Sequence, residues 1–279
     1  DSHTATLLPN GKLLAAGGRN ARSGDASGAL RSVEIYDPAT GKWTDSALLN
    51  TARFDHVAVL LRDGTVLVAG GRNAAGILDS IEIYDPVTAK WTVNANKLNV
   101  ARAKATATLL PLSALLTGGT VLIVGGENSS GALKEAELYD FIAKKWTLTG
   151  SLAKARSEHT ATLMPNGRVM VAGGGDSNSA SLKTAEIFDP RTGGWSEARA
   201  TMNVARRQHT ATLLGDGSVL VAAGFDGTNA LNSSELFNPI KQTWATVSVA
   251  MNDKRLKHTA TLLQNGQVFV VGGFDGSAA

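Results

Sequence analysis

The chain has 279 residues, with 27 basic and 24 acidic side chains and a formal net charge of +3. That balance, without a basic run, argues against a nucleic-acid partner, and the absence of cysteine excludes disulfides and thiolate metal sites. A hydrophobic fraction of 43% is ample for the core of one large β domain or two small ones.

The predicted elements come in a fixed order. Strand A is HTATLL, beginning at His3, and a turn at Asn10-Gly11 follows. Strand B is an apolar run into Gly17-Gly18, after which a loop of variable length leads to strand C, VEIYDP. A short turn then leads to strand D, around Trp43. The same series returns down the chain, with strand A as RFDHVAVLL, RSEHTATLM, RRQHTATLL and RLKHTATLL. The Gly-Gly position recurs at Gly70, Gly125, Gly173, Ala223 and Gly272, at spacings of 53, 55, 48, 50 and 49 from Gly17 onward. Strand C recurs as IEIYDP, AELYDF, AEIFDP and SELFNP, and strand D at Trp91, Trp146, Trp195 and Trp244. The Asn-Gly and Asp-Gly pairs, from Asn10-Gly11 to Asn265-Gly266, tolerate positive φ and predict two-residue hairpins.

A period near fifty with four strands per unit is the signature of propeller blades. The expected fold is all-β, a six-bladed plan with five complete four-stranded blades and a half sixth blade holding strands A and B only. The blades run approximately over 1–52, 53–101, 102–155, 156–205 and 206–254, with 255–279 incomplete. The chain opens on Asp1, one residue too late to carry the Arg that precedes the other histidines, which suggests a portion of a longer array. The uncharged stretch Ala105 to Gly126 is long enough for a membrane span. Its ends match strands A and B, and Pro111 with Gly118-Gly119 breaks its middle, so it reads as two strands with an enlarged turn.

The Gly-Gly pair, the aromatic of EIYDP and the Trp after a short turn together resemble the kelch repeat, over essentially the whole chain. The wording HTATLLPNG, VLVAGG and EIYDPATGKW is similar to kelch arrays of secreted or surface-attached bacterial proteins. The resemblance implies an extracellular or cell-surface place. It also implies the β-propeller fold and a binding module.

Each repeated residue has a structural job available. Glycine lets strand B pass beneath a neighbouring side chain where a Cβ would clash, and the aromatics supply area between adjacent blades. If the tight A–B and C–D turns share one face, the B–C loops and D–A connections share the other. That second face carries all the variety, and function favours variable loops on a rigid scaffold. It also carries the Arg of Arg-x-x-His, at Arg53, Arg102, Arg156, Arg206 and Arg255. Guanidinium forks suit carboxylates, and kelch domains that bind acidic peptides carry arginines at this point. The resemblance therefore implies a ring that reads an acidic peptide or sugar, with Arg19, Arg72, Asn73, Asn128 and Asp226 of the B–C loops beside it. Against this stands one strand-C glutamate per complete blade, Glu34, Glu82, Glu137, Glu186 and Glu235, which suggests an ion pair at each blade junction.

His3, His56, His159, His209 and His258 open strand A, with Ala105 in their place in blade three. Equivalent residues on successive blades diverge too far to share a metal, so a hydrogen bond to a neighbouring loop is expected, and no cofactor. Asp226 in its Phe-Asp-Gly loop favours a turn over Ca²⁺. Among kelch enzymes, copper radical oxidases resembling galactose oxidase need a Tyr crosslinked to Cys, and this chain has none. Sialic acid epimerases use Arg and acidic groups near the central cavity, which leaves a carbohydrate-active enzyme as the alternative. No asymmetric acid–base pair is visible. The leading expectation is a non-catalytic binding or adhesion module for a protein or glycan. A third reading is a structural segment that self-associates, completing its sixth blade from another chain.

Overall fold

The computed structural model describes residues 1–20, 25–111 and 120–276. Among the described residues there is no helix, and the strands form five four-stranded antiparallel sheets and a two-stranded sheet of Thr259–Leu262 with Val268–Val271. Short two-residue ribbons, such as Arg72–Asn73 with Gly76–Ile77, decorate the B–C loops. Each large sheet is a meander in which sequence order is spatial order. The first consists of Thr4–Leu7, Leu13–Ala16, Val33–Asp37 and Lys42–Asp45. The segment Ala105 to Gly126 contains strands Thr106–Leu109 and Thr120–Val124, and among the described residues no helix is long and apolar enough to cross a membrane. The enlarged turn expected at Gly118-Gly119 lies outside the described residues.

The chain forms two compact units, Asp1–Ser129 with Glu135–Thr149, and Ser130–Lys134 with Gly150–Ala279. The first holds three large sheets. Leu14, Val33, Leu49, Val66, Val68 and Tyr84 make one core there, and Leu67, Ile81, Leu98, Val121, Ile123 and Tyr139 another. In the second unit Met170, Ala172, Ile187, Val219 and Phe237 pack together. Strand B explains these cores. Its residues alternate between the two sheet faces, and in the second sheet Val66 and Val68 join one core while Leu67 and Ala69 join the other, so Val66–Ala69 is wholly buried and reads as a continuous apolar run, as Val169–Ala172 does in the second unit.

Four of the five strand-C aromatics, Tyr84, Tyr139, Phe188 and Phe237, are fully buried, and Tyr36 is half-buried. The tryptophans are covered to differing depths. Each stacks at a tilt on the aromatic opposite it in its own sheet, at centroid distances from 4.9 Å for Tyr139–Trp146 to 5.2 Å for Tyr36–Trp43. Trp146 is buried against Leu67 and Ile81 of the preceding sheet, whereas Trp43 is 50% exposed. Successive sheets are linked by this apolar packing and also by polar tips: Tyr84 and Ser46 share a hydroxyl hydrogen bond of 2.9 Å, and Trp91 Nε1 donates to Ala47 O.

The A–B turns differ from the two-residue hairpins expected. Gly11 N–H donates to Leu8 O and Leu8 N–H to Lys12 O, which makes a three-residue loop. Only Gly11 has positive φ, at 80°, with Asn10 absent from the positive-φ residues. This is a type I turn closed by a glycine bulge. The Asn or Asp serves a different purpose from positive φ: Asn10 Oδ1 and Asp63 Oδ1 accept the N–H two residues on, from Lys12 and Thr65.

The Gly-Gly positions do provide close approach. A Cβ on Gly173 would stand 2.3 Å from Arg206 O and 2.7 Å from His209 Cε1, both of the next repeat. Both glycines are also left-handed, Gly173 at φ 62° and Gly174 at φ 99°. Ala223 occupies the first position of the fifth pair at φ 55°, a strained conformation for an L residue.

Candidate functional site

The antiparallel meander brings each D–A connection beside the B–C loop of the same sheet. Isolated bridges join Phe54 to Arg72, Ala103 to Glu127, Ser157 to Gly175, Arg207 to Phe225 and Leu256 to Phe274. The variable face expected from strand direction therefore exists in each sheet.

The arginines expected to line it do not face solvent. Arg53, Arg102, Arg156 and Arg206 are at most 1% exposed, and Glu82, Glu137, Glu186 and Glu235 are equally buried. The four pairs close at 3.0, 2.7, 2.7 and 2.9 Å. Arg156 Nη1 also donates to the carbonyls of Gly173 and Thr184, and Nη2 to Thr184 Oγ1. Glu186 in turn accepts the backbone N–H groups of Ala153 and Lys154. Each pair thus staples the D–A connection to strands B and C. Burial lowers the pKa of the Arg156 guanidinium and Glu186 works against it. The expectation that these four arginines line a ligand-binding mouth does not fit this geometry, because each guanidinium is buried and its Nη groups are bonded within the repeat. Arg255 keeps only the bond from Nη1 to Gly272 O and a loose contact with Asp253 at 3.5 Å.

The histidines also turn inward. His56, His209 and His258 share a hydrogen bond through Nε2 with Thr4, Thr160 and Thr210 at 2.9, 2.9 and 2.8 Å. The partner is a strand-A threonine of the preceding repeat, not a loop. Burial, then the charge of Arg53, lowers the His56 pKa to about 3, and burial, then Arg255, lowers that of His258 to about 4. Among the described residues no three His, Asp or Glu groups are placed to hold a metal.

What does reach the surface is the residue just before each strand-A histidine position. It is left-handed every time: Ser2, Asp55, Lys104, Glu158, Gln208 and Lys257 all have φ between 52° and 58°. Their backbones join repeat to repeat. Asp55 N–H donates to Ser2 O and Lys104 N–H to Asp55 O in the first unit; Gln208 N–H donates to Glu158 O and Lys257 N–H to Gln208 O in the second. These bonds hold the strained conformation and project six side chains of five kinds, half-buried or exposed, to the variable face.

In the first unit this row builds a charged cluster over an aromatic. Arg72 pairs with Asp55 at 3.0 Å and Glu127 at 2.7 Å, and Lys104 with Glu127 at 3.2 Å. Burial pushes the Glu127 pKa up, but Lys104 and Arg72 outweigh it and the net shift is downward. The guanidiniums of Arg19 and Arg72 lie 5.5 and 5.6 Å from the Phe54 ring centre. In the second unit Arg207 lies 5.2 Å from the Phe225 ring and 3.8 Å from Glu158. Of the other expected residues, Arg19 and Arg72 stand at this surface and Asn128 is half-buried beside Glu127. Asn73 and Asp226 are corrected to loop builders: Asn73 donates to Ala52 O and accepts from Ala75, and Asp226 accepts the N–H groups of Thr228 and Asn229.

The left-handed row carries no residue-type signal, since its members share a conformation and no chemistry. A second element was legible and passed over. The run Leu/Met-Asn-x-Ala-Arg recurs at Leu49–Arg53, Leu98–Arg102 and Met202–Arg206, and as Leu152–Arg156 with Ala in the second place. Its apolar residue is buried in every case, and the two N–H groups after it bind the glutamate.

Repeated four-stranded meanders, stapled by one buried Arg–Glu pair and passing neighbours at paired left-handed glycines, define a β-propeller-type repeat protein. The kelch motif matches residues 2–47 and 53–96, and the KLHDC2/KLHL20/DRC7 kelch-repeats domain matches residues 111–279. The chain belongs to the kelch-repeat family. It is 26% identical over 161 residues to Kelch-like protein 41a of Danio rerio, covering 58% of this chain and 25% of that protein. It is 45% identical over 74 residues to the Influenza virus NS1A-binding protein homolog of Mus musculus, covering 26% of this chain and 10% of that protein. The chain thus spans a quarter or less of these relatives' length, and both are animal proteins.

Proposed function

We propose that the chain is a non-catalytic protein-binding module, built on a six-bladed propeller plan, that engages its partner with the left-handed row and the B–C loops. One observation carries this reading. Four of the repeated Arg–Glu pairs are consumed by internal bonds, whereas Asp55, Lys104, Glu158, Gln208 and Lys257 are held in a strained conformation and vary in charge from repeat to repeat. Kelch repeats generally mediate protein–protein interaction, and one relative is named for binding a protein. The mixed charge of Arg72, Asp55, Glu127 and Lys104 suits a partner surface of mixed polarity better than a purely acidic peptide or sugar.

The alternative reading as a carbohydrate-active enzyme of the epimerase type loses its main support, because the arginines that suggested it are held in ion pairs. Binding of a glycan, an extracellular place and completion of the last blade by another chain rest on the repeat pattern and its bacterial resemblance alone. Interaction screening followed by titration of the purified partner tests the proposal. Lys104→Ala and Arg72→Ala should each weaken binding at least tenfold with the fold intact. A specific glycan found on an array, or a protein partner indifferent to these substitutions, overturns it.

A further inference from the structure

Three A–B turns place an asparagine directly before a glycine, at Asn10-Gly11, Asn166-Gly167 and Asn265-Gly266, and all three asparagines are exposed. In each, the side-chain Oδ1 accepts the N–H two residues on, from Lys12, Arg168 and Gln267, at 3.1, 3.1 and 3.0 Å. A donor aimed at that oxygen polarises the amide carbon and stabilises the charge that an attack would place there. The attacking group is the next nitrogen in the chain, that of the glycine, which closes a five-membered succinimide with no Cβ in the way. The turn withholds it: Gly11, Gly167 and Gly266 donate their N–H to the carbonyls of Leu8, Met164 and Leu263 at 3.0, 2.9 and 2.9 Å. The electrophile is prepared while the nucleophile is held, so reaction waits on the opening of a backbone hydrogen bond.

The three turns differ in how firmly that bond is kept closed. Pro9 and Pro165 stand before Asn10 and Asn166, at the turn position whose φ proline already fixes, whereas Gln264 stands before Asn265. Each proline also lies across the next A–B turn: a Cβ on Gly64 would meet Pro9 Cγ at 3.4 Å, and one on Gly217 would meet Pro165 Cγ at 3.5 Å. Fixing φ with proline shifts a local opening equilibrium by a factor of about two to five. The fold already accepts the acid in place of the amide. Asp63 and Asp216 hold the asparagine position in the second and fifth sheets and accept the N–H groups of Thr65 and Ser218 at 3.0 and 2.9 Å.

We propose that Asn265 is a site of spontaneous deamidation, and that Asn10 and Asn166 are shielded from it by the proline ahead of each. Gly266 N gives its proton to hydroxide and bonds to Asn265 Cγ; the Cγ–Nδ2 bond breaks and ammonia leaves. Water then opens the imide to aspartate or isoaspartate, so the net change is amide plus water to acid plus ammonia, with no oxidant or reductant. Aspartate restores the turn in the form seen at Asp63 and Asp216 and adds a negative charge. Isoaspartate inserts the side-chain methylene into the main chain and opens the three-residue loop.

The test is incubation of the folded chain at mildly alkaline pH. Peptide mapping by mass spectrometry reads conversion at each asparagine, and isoaspartyl methyltransferase labelling divides the two products. Asn265 should convert about two- to fivefold faster than Asn10 or Asn166. Gln264→Pro should slow Asn265, and Pro9→Gln should speed Asn10, each by a factor of about two to five. Both substitutions lie at exposed positions and compare a site with itself, and melting curves check that the fold is kept. In the urea-unfolded chain, where the turns are open, the three rates should converge. Absent conversion at Asn265, equal rates at the three sites in the folded chain, or rates unmoved by the two substitutions overturn the proposal, as does a spread among the sites that persists in urea.

Discussion

Arg156 Nη2 lies 2.7 Å from Glu186 Oε1, with neither side chain more than 1% exposed. The pair joins a connection to a strand thirty residues later, and the same relationship recurs at Arg53–Glu82, Arg102–Glu137 and Arg206–Glu235. Its function is cohesion within the repeat. Removing one partner leaves a buried charge without compensation, which costs about 3–5 kcal/mol. Arg156→Ala and Glu186→Gln should each lower the urea midpoint accordingly. The double variant should lose less than the sum, as a double-mutant cycle would measure.

The two sides of the Gly-Gly position predict opposite signs. Ala223→Gly removes a Cβ from a left-handed residue at φ 55° and should stabilise by about 1 kcal/mol. Gly173→Ala introduces both that strain and a contact 2.3 Å from Arg206 O, and should destabilise by at least about 2 kcal/mol. Chemical denaturation of the two variants decides the matter.

The buried histidines predict acid sensitivity. An unfolded histidine binds a proton near pH 6.5, whereas His56 folded does so only at about 3 and His258 at about 4. Between these values the unfolded state holds more protons, so stability falls as pH falls below about 6.5 and the loss ends at the folded pKa. For His56 the loss between pH 6.5 and 5 is about 1.5 kcal/mol. Stability curves at the two pH values should show a smaller difference for His56→Gln than for the parent chain.

The left-handed row predicts a trade of stability against binding. Lys104→Gly and Gln208→Gly relieve φ values of 52° and 54° and should each stabilise by up to about 1 kcal/mol. The same substitutions remove side chains from the proposed partner surface and should weaken binding. Melting temperature and partner affinity measured on one preparation test both signs together.

The strand order and the pairing of Arg with Glu were legible because each leaves a periodic trace: apolar runs, turn dipeptides and one residue of each charge per repeat. The tight turns were misread because Asn-Gly fits two hairpin geometries, and the choice depends on which carbonyl the glycine N–H reaches. The tryptophans were expected to pack between adjacent blades, and Trp91, Trp146 and Trp244 do join the apolar clusters between sheets, to a depth that the sequence does not state.

The sequence by itself determined the repeat, its four strands and the family, because hydrophobic period and turn chemistry are local properties written into each copy. Only the tertiary structure decided which side chains remain available. Whether Arg156 faces a ligand or Glu186, and whether Asp55 points outward, depends on bonds between residues about thirty or more apart and on backbone dihedrals that no residue type announces.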